Sequence, residues 1–233
     1  MATPLTIPLG GGDAVGAIDY PAAAEPEAVL DATLILAHGA GAPQTHPFMT
    51  AFARGLSSRG VGVVTFNFPY MERRRRAPDP APRLESCYRT VIAAVRERRP
   101  GAGHRLLAGG KSMGGRIASQ VVAGNSRAGV TPGVDGLVFL GYPLHPPGRP
   151  DKLRSAHLPF VSVPMLFVQG SRDAFGTPDE LRPTLADCAA AELFVVDGGD
   201  HSFRVRGKDA PLPAAVYTTM QDAIVDWIGR LRP

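Results

Sequence analysis

Three residues of this chain have the types and the order that nucleophilic acyl chemistry requires: Ser112, Asp173 and His201. Ser112 stands in Gly110-Lys111-Ser112-Met113-Gly114, a G-x-S-x-G pattern that holds a serine on a sharp turn between a strand and a helix. The glycines leave the room that such a turn needs. A serine hydroxyl is a weak nucleophile at neutral pH, so a base must accept its proton and later return it to the leaving group. His201 is expected in that role. Asp173, 28 positions earlier, is expected to orient the imidazole and stabilise the imidazolium. The tetrahedral oxyanion needs backbone donors. One is expected from Met113, at a helix start where the positive dipole end helps; the other from the glycine-rich loop 38–43, Ala40 first and Gly41 second.

Other readings of the same residues are specific enough to weigh. Gly-Lys-Ser at 110–112 also resembles the end of a phosphate-binding loop, G-x-x-x-x-G-K-[ST], but that pattern needs glycine where Arg105 stands. Ser112 could be no more than a small residue in a tight turn. Asp197 and Asp200 compete with Asp173 for the acid role, and any of them could cap a turn. His38, His46, His104, His145 and His157 compete with His201, yet only His201 lies in the loop after the last expected strand. His38 reads as a loop-shaping residue beside the oxyanion donors, and Lys111 as a structural neighbour of the serine.

The elements that must hold these residues follow from apolar runs. Residues 4–20 alternate weakly around Gly10–Gly12 and predict a hairpin. Buried strands are predicted at TLILA (33–37) and VGVVTFNF (61–68), and further strands at LLAGG (106–110), LVFLGYP (137–143), PMLFVQGSRD (164–173) and ELFVVDG (192–198). Helices are predicted at 46–59, where Phe48, Phe52 and Leu56 recur every fourth residue, and at 83–98, after the Ser112 turn, at 178–188 and at 211–231. Strands alternating with helices imply an α/β fold: one mostly parallel sheet with helices on both faces. Ligands of such sheets bind beyond the carboxyl ends of the strands. Ser112, Asp173 and His201 each follow a predicted strand.

Composition sets the outer bounds. At 233 residues, 44% hydrophobic and 20% charged, the chain suits one soluble domain spanning 1–233. Net charge is +4, but acidic residues are interleaved and the only dense basic run is Arg73–Arg76. That run reads as a solvated loop, with contact to an anionic substrate as the sharper alternative. A nucleic-acid role lacks an aromatic platform or a recognised module. Cys87 and Cys188 are too few for a disulfide scaffold and too isolated for zinc, so no metal is expected. The opening stretch MATPLTIPLGGGDAVGA lacks the basic and apolar regions of a secretory leader, and no run approaches a membrane span; a cytoplasmic location is expected.

Several stretches carry a family resemblance: AHGAGAP (37–43), FNFPYMERRRRAPDP (66–80), GGKSMGGR (109–116), LGYPLHPPGRPDKLRSAHL (140–158), QGSRDAFG (169–176) and DHSF (200–203). Through them the chain resembles the dienelactone-hydrolase-like branch of the α/β-hydrolases. More closely, it resembles a group of small hydrolases, known mostly by prediction, that includes a testis-expressed protein and a subunit of a chromatin acetyltransferase complex. The resemblance implies Ser112 as nucleophile, Asp173 as acid and His201 as base. It also makes the arginine run a family loop rather than a nuclear signal. Dienelactone hydrolases proper use a cysteine nucleophile, so the serine argues against that narrow substrate.

Some twenty residues separate the strand ending at Pro143 from the one starting near Pro164, and they are rich in proline. Too short for the helical cap that lipase-like members of the family insert there, they predict an open, capless cleft. Its expected walls are strand-end side chains: Tyr70, Tyr142, Leu144, His145, Phe175 and Phe203, with Gly41 beside them. The expected function is a cofactor-free serine hydrolase of small or medium carboxylic esters. Thioesterase, amidase or peptidase chemistry would use the same three residues. The alternative from another class is a non-catalytic interaction protein, which would be expected to have lost at least one of them. A homo-oligomer is compatible with the sequence, but nothing in the sequence indicates one.

Overall fold

The computed structural model describes residues 1–23, 29–101, 103–131 and 133–231. Eight strands form one sheet in the order β1-β2-β4-β3-β5-β6-β7-β8. The N-terminal hairpin pairs β1 (Thr3–Gly10) with β2 (Asp13–Tyr20), and β2 runs antiparallel to β4 (Gly62–Phe66). From β4 onward the sheet is parallel, through β3 (Ala32–Ala37), β5 (Arg105–Lys111), β6 (Gly136–Leu140), β7 (Met165–Gly170) and β8 (Ala191–Val196). The strand order reverses at β3: β4 lies on one side of it and β5 on the other. Crevices at such reversals are where parallel sheets hold ligands.

The central strands are apolar throughout because both of their faces are covered. In β3, Leu34 and Leu36 join a core shared with α1 (Pro47–Ser57) and α6 (Pro213–Arg230). Ile35 and Ala37 point the other way, into a core shared with α3 (Ala81–Arg98) and α4 (Met113–Arg127). Period-two alternation thus fills two layers from one strand. Each fully buried Leu, Val or Phe of these layers contributes about 1.5–3 kcal/mol. The expected spacing on α1 holds, with Phe48, Phe52 and Leu56 all buried.

Two details tie the sheet to the site. Tyr88 of α3 is wholly buried, and its hydroxyl accepts the Gly109 N–H at 2.9 Å, just before the Ser112 turn. Its own proton goes to one of two carbonyls, Ile35 at 3.0 Å or Gly109 at 2.7 Å, so it clamps β3 to β5. Between β6 and β7 there is no separate cap domain, only a single 3-10 turn, Leu158–Phe160. The helix α5 (Pro178–Ala186) follows β7, with Thr177 and Glu180 forming a reciprocal capping box. One element escaped the sequence: the four residues of α2 (Pro69–Glu72) sit where a loop was expected, too short to show any period.

Candidate active site

Ser112 sits between the last residue of β5 and the first of α4, at φ 50° and ψ −115°. A non-glycine residue held there costs on the order of 1–3 kcal/mol, so its surroundings must enforce it. They do so through the backbone. Its N–H donates to the Leu140 carbonyl at 3.0 Å, and its carbonyl accepts from Arg116 N–H at 3.2 Å. The first turn of α4 also presses against the end of β3: a Cβ on Gly114 would lie 2.5 Å from the Ala37 oxygen and 2.7 Å from that of His38. Only glycine permits that approach.

The structure brings Ser112, His201 and Asp173 into one hydrogen-bonded chain. Ser112 Oγ lies 2.9 Å from His201 Nε2, and His201 Nδ1 lies 2.8 Å from Asp173 Oδ2. A carboxylate only accepts, so Nδ1 carries the proton and Nε2 is left to accept from the serine. Asp173 is buried and fully engaged: its Oδ1 takes the Phe175 N–H at 2.8 Å, and its Oδ2 also takes the Gln169 amide at 3.0 Å. Gln169 is itself oriented by donors and acceptors. Its oxygen accepts Tyr142 N–H at 2.8 Å, while its NH₂ also donates to the Gly176 carbonyl at 2.6 Å. The Phe175 ring stacks on the imidazole at 4.1 Å between centroids. Gln169 was not anticipated from sequence; the one available signal was a polar residue inside the apolar run PMLFVQG.

Loop 38–43 leaves the end of β3 alongside this chain of bonds. His38 is completely buried. Phe68 N–H donates to its Nε2 at 3.1 Å, which forces the proton onto Nδ1, where it meets the Gly39 carbonyl at 2.7 Å. Burial pushes this imidazole down to about 4. His38 is therefore a neutral strut that sets the path of residues 39 and 40. Met113, the first residue of α4, has an N–H without an intrahelical partner, and both Met113 and Ala40 line the cleft. The positive end of the α4 dipole faces the same spot.

His157 is also held neutral. Burial, then the charges of Arg116 and Arg127, push it down to about 4, and Ser119 Oγ lies 2.8 Å from its Nε2. A folded pKa below the ordinary 6.5 means that the unfolded chain takes the proton more readily. Stability is therefore complete above pH 6.5 and drains as pH falls toward 4, by on the order of 3 kcal/mol for such a group. Urea midpoints at pH 7 and 4.5 check this. His157→Gln, which keeps a partner for Ser119, should lose less stability over that interval than the wild type; equal losses would refute the assignment.

Lys111 reaches back from the end of β5 and donates to the His201 carbonyl at 2.6 Å. Its ammonium lies 5.2 Å from the Phe203 ring centroid and 6.0 Å from that of Phe48. Burial pushes it down to about 8, against the pull of Asp173 and Asp200. A Cβ on Gly141, at φ 69°, would lie 3.0 Å from Lys111 Nζ, 3.4 Å from Asp173 Oδ2 and 3.5 Å from His201 Nδ1. This lysine thus buttresses the loop that carries the histidine.

Above these groups opens a cleft of about 590 Å³, within the range of small-molecule sites. Phe175 lines it, as do Phe48, Met49 and Tyr217. Five expected wall residues do not. Tyr70, Tyr142, Leu144, His145 and Phe203 are buried beneath the surface, and Gly41 also stands outside the lining. Tyr142 donates its hydroxyl to the Arg154 carbonyl at 2.9 Å, His145 Nδ1 bonds Pro146 O at 2.9 Å, and Phe203 backs Lys111. A strand end locates a residue near the cleft but does not decide which way its side chain turns. Arg73–Arg76 are exposed, as the solvated-loop reading expected: Arg73 pairs with Asp13 at 2.9 Å, Arg75 pairs with Asp79, and none of the four lines the cleft, so the alternative of a substrate contact fails. The arginines that do are Arg116, Arg154 and Arg204, none of which the sequence singled out. Among the described residues, no three His, Cys, Asp or Glu gather as a metal-holding group, and no helix is long and apolar enough to cross a membrane.

Solved structures resemble this fold over nearly its full length. A serine hydrolase without a lid from Xanthomonas campestris matches with a TM-score of 0.71 at 22% identity, covering 100% of this chain and 95% of its own. A dienelactone hydrolase from Anabaena variabilis matches with a TM-score of 0.72 at 19% identity, covering 100% and 99%. For an alpha-beta serine hydrolase homologue from Coxiella burnetii the values are 0.68 and 17%, covering 98% and 96%. At these identities the likeness is one of fold. The sequence itself matches the family described as alpha/beta hydrolase domain over residues 30–229, and the chain belongs to that family.

Proposed function

We propose that this hydrolase cleaves small or medium carboxylic esters through an acyl-enzyme formed on Ser112. The observation that carries the reading is the unbroken chain of hydrogen bonds Ser112–His201–Asp173 at the foot of an open cleft. In the first half-reaction His201 Nε2 takes the hydroxyl proton as Oγ attacks the carbonyl carbon, and the oxyanion settles between the N–H groups of Met113 and Ala40. Losing one such donor raises a barrier by about 2.7–4 kcal/mol. The imidazolium then protonates the departing alcohol. In the second half-reaction water replaces the alcohol, gives its proton to His201, and releases the acid and free serine. Asp173 stays ionised throughout, held by three hydrogen-bond donors. These steps use the chain's own groups and one water.

The cleft has no separate cap domain over it, and a volume of about 590 Å³ suits short or medium rather than long acyl chains. A p-nitrophenyl ester series from acetate to palmitate tests this. Turnover should peak at short or medium acyl chains and fall steeply beyond them; a maximum at long chains would keep the hydrolase but overturn the small-ester reading. The same triad could open thioesters or amides, and parallel assays with acyl-CoA and anilide substrates rank the three.

A further inference from the structure

One wall of the cleft carries positive charge without a counter-charge. Arg116 lies on α4, one turn beyond Ser112, and Arg154 lies in the loop between β6 and β7; both line the cleft. Neither has a carboxylate within ion-pair distance among the described residues, in contrast with ten other arginines that do. The nearby acidic groups are paired with other arginines. Asp79, itself in the lining, pairs with Arg75 and with Arg83 at 3.7 Å, its Oδ2 making no hydrogen bond, and Glu85 pairs with Arg89 at 3.2 Å. His157, beside Arg116, is neutral. Of the Arg116 guanidinium, Nη1 donates to Gln120 Oε1 at 3.1 Å, while Nε is buried with no partner. Lys111, also in the lining, has the charges of Asp173 and Asp200 acting on it, whereas Arg204, the third arginine of the lining, makes no ion pair among the described residues.

Arg116 and Arg154 thus place two guanidiniums without ion pairs in one cleft lining, and the charge of Arg154 acts on Arg116. A planar anion entering the cleft would offset that charge, since a carboxylate accepts paired N–H donors from the accessible edge of a guanidinium fork. We propose that Arg116 and Arg154 form an anion subsite, and that the preferred substrate is an ester carrying a carboxylate near its scissile carbonyl. This rests on the ester-hydrolase reading above and names its substrate class. The sequence offered an anion contact as an alternative, but at the dense run Arg73–Arg76, none of which lines the cleft.

Matched esters test it. For a carboxylate on the acyl side, p-nitrophenyl hydrogen adipate is compared with p-nitrophenyl hexanoate; for the alcohol side, 3-carboxyphenyl hexanoate with phenyl hexanoate. In one of the two arms the wild type should favour the anionic ester by about tenfold or more in kcat/KM. Arg116→Gln and Arg154→Gln should each cut that ratio by about fivefold, and the double variant should bring it near one. Arg154 is exposed, so its variant reads out even if Arg116→Gln folds poorly. Arg76→Gln, an exposed change outside the cleft, should leave the ratio at the wild-type value; a comparable fall there would mean a general charge effect and overturn the subsite. A wild-type ratio at or below one in both arms, with neutral esters still cleaved in a Ser112-dependent way, would sink the subsite alone. No turnover of any ester, and no labelling by a fluorophosphonate, would sink the hydrolase reading with it.

Discussion

Ser112→Ala should lower kcat on any cleaved ester by about 10⁴-fold or more while leaving the fold intact. The oxygen removed is the one that forms the acyl-enzyme, and nothing else in the cleft is aligned to replace it: His201 Nε2 would be left facing a methyl group. What remains is binding and the proposed N–H pair at Met113 and Ala40, which leave about 10³–10⁴-fold acceleration over water but far less than the triad supplies. Labelling by a fluorophosphonate should vanish together with turnover. A stability readout separates chemistry from folding. Alanine inherits the positive φ of Ser112 and its strain, so its melting temperature should stay near that of the wild type. Glycine relaxes that strain, part of about 1–3 kcal/mol, at some cost in backbone entropy. Ser112→Gly should therefore be as inactive as Ser112→Ala and melt higher. Residual activity above about one per cent in either variant would mean that the nucleophile lies elsewhere.

What could be read from the sequence, and what could not, divides along physical lines. The sheet was legible because its central strands are buried on both faces and so are written as uninterrupted apolar runs such as TLILA and MLFVQ. The positions of Ser112, Asp173 and His201 were legible because each follows such a run, and strand ends converge on one edge of the sheet. Side-chain direction was not. Tyr142 and Phe175 both follow strands, yet Tyr142 turns under the cleft to reach the Arg154 carbonyl, whereas Phe175 stacks on His201. Past the last ladder bond the period-two rule no longer applies, and loop geometry decides. Charge pairing was hidden for a related reason. The run was rightly read as a solvated loop, but Arg73 finds Asp13 across 60 residues of sequence, so local density overstated the free charge behind the substrate-contact alternative. Arg116 and Arg154 stand alone in sequence and come to line the same cleft only in the folded chain. Gln169 and Lys111 support the site through atoms that no motif specifies, a strand-end amide and the backbone carbonyl of His201.

Asp173→Asn should lower kcat by about 10⁴-fold, whereas Asp200→Asn should cost less than about tenfold. The three candidate acids differ in what their oxygens do. Asp200 Oδ1 accepts backbone N–H groups from Ser202 at 2.8 Å and Arg204 at 3.0 Å, so it shapes the loop that carries the histidine. Asp197 Oδ1 accepts the Ser171 hydroxyl at 3.2 Å, at the exposed end of β8. Only Asp173 reaches the imidazole. An asparagine there is nearly isosteric but brings an NH₂ into a pocket furnished with donors: Gln169 Nε2 and Phe175 N–H already point at the two oxygens. One amide face must then oppose a donor, and if the NH₂ takes the Oδ2 side it donates to Nδ1. The imidazole is thereby driven to the tautomer with its proton on Nε2, which cannot accept from Ser112. The prediction is a loss in kcat with little change in KM, since neither oxygen of Asp173 lines the cleft. Replacing Gln169 by leucine should act in the same direction and more weakly, by removing one donor that holds the carboxylate. Two outcomes would count against the assignment: Asp200→Asn matching Asp173→Asn in kcat, or the Asp173 variant retaining a wild-type rate.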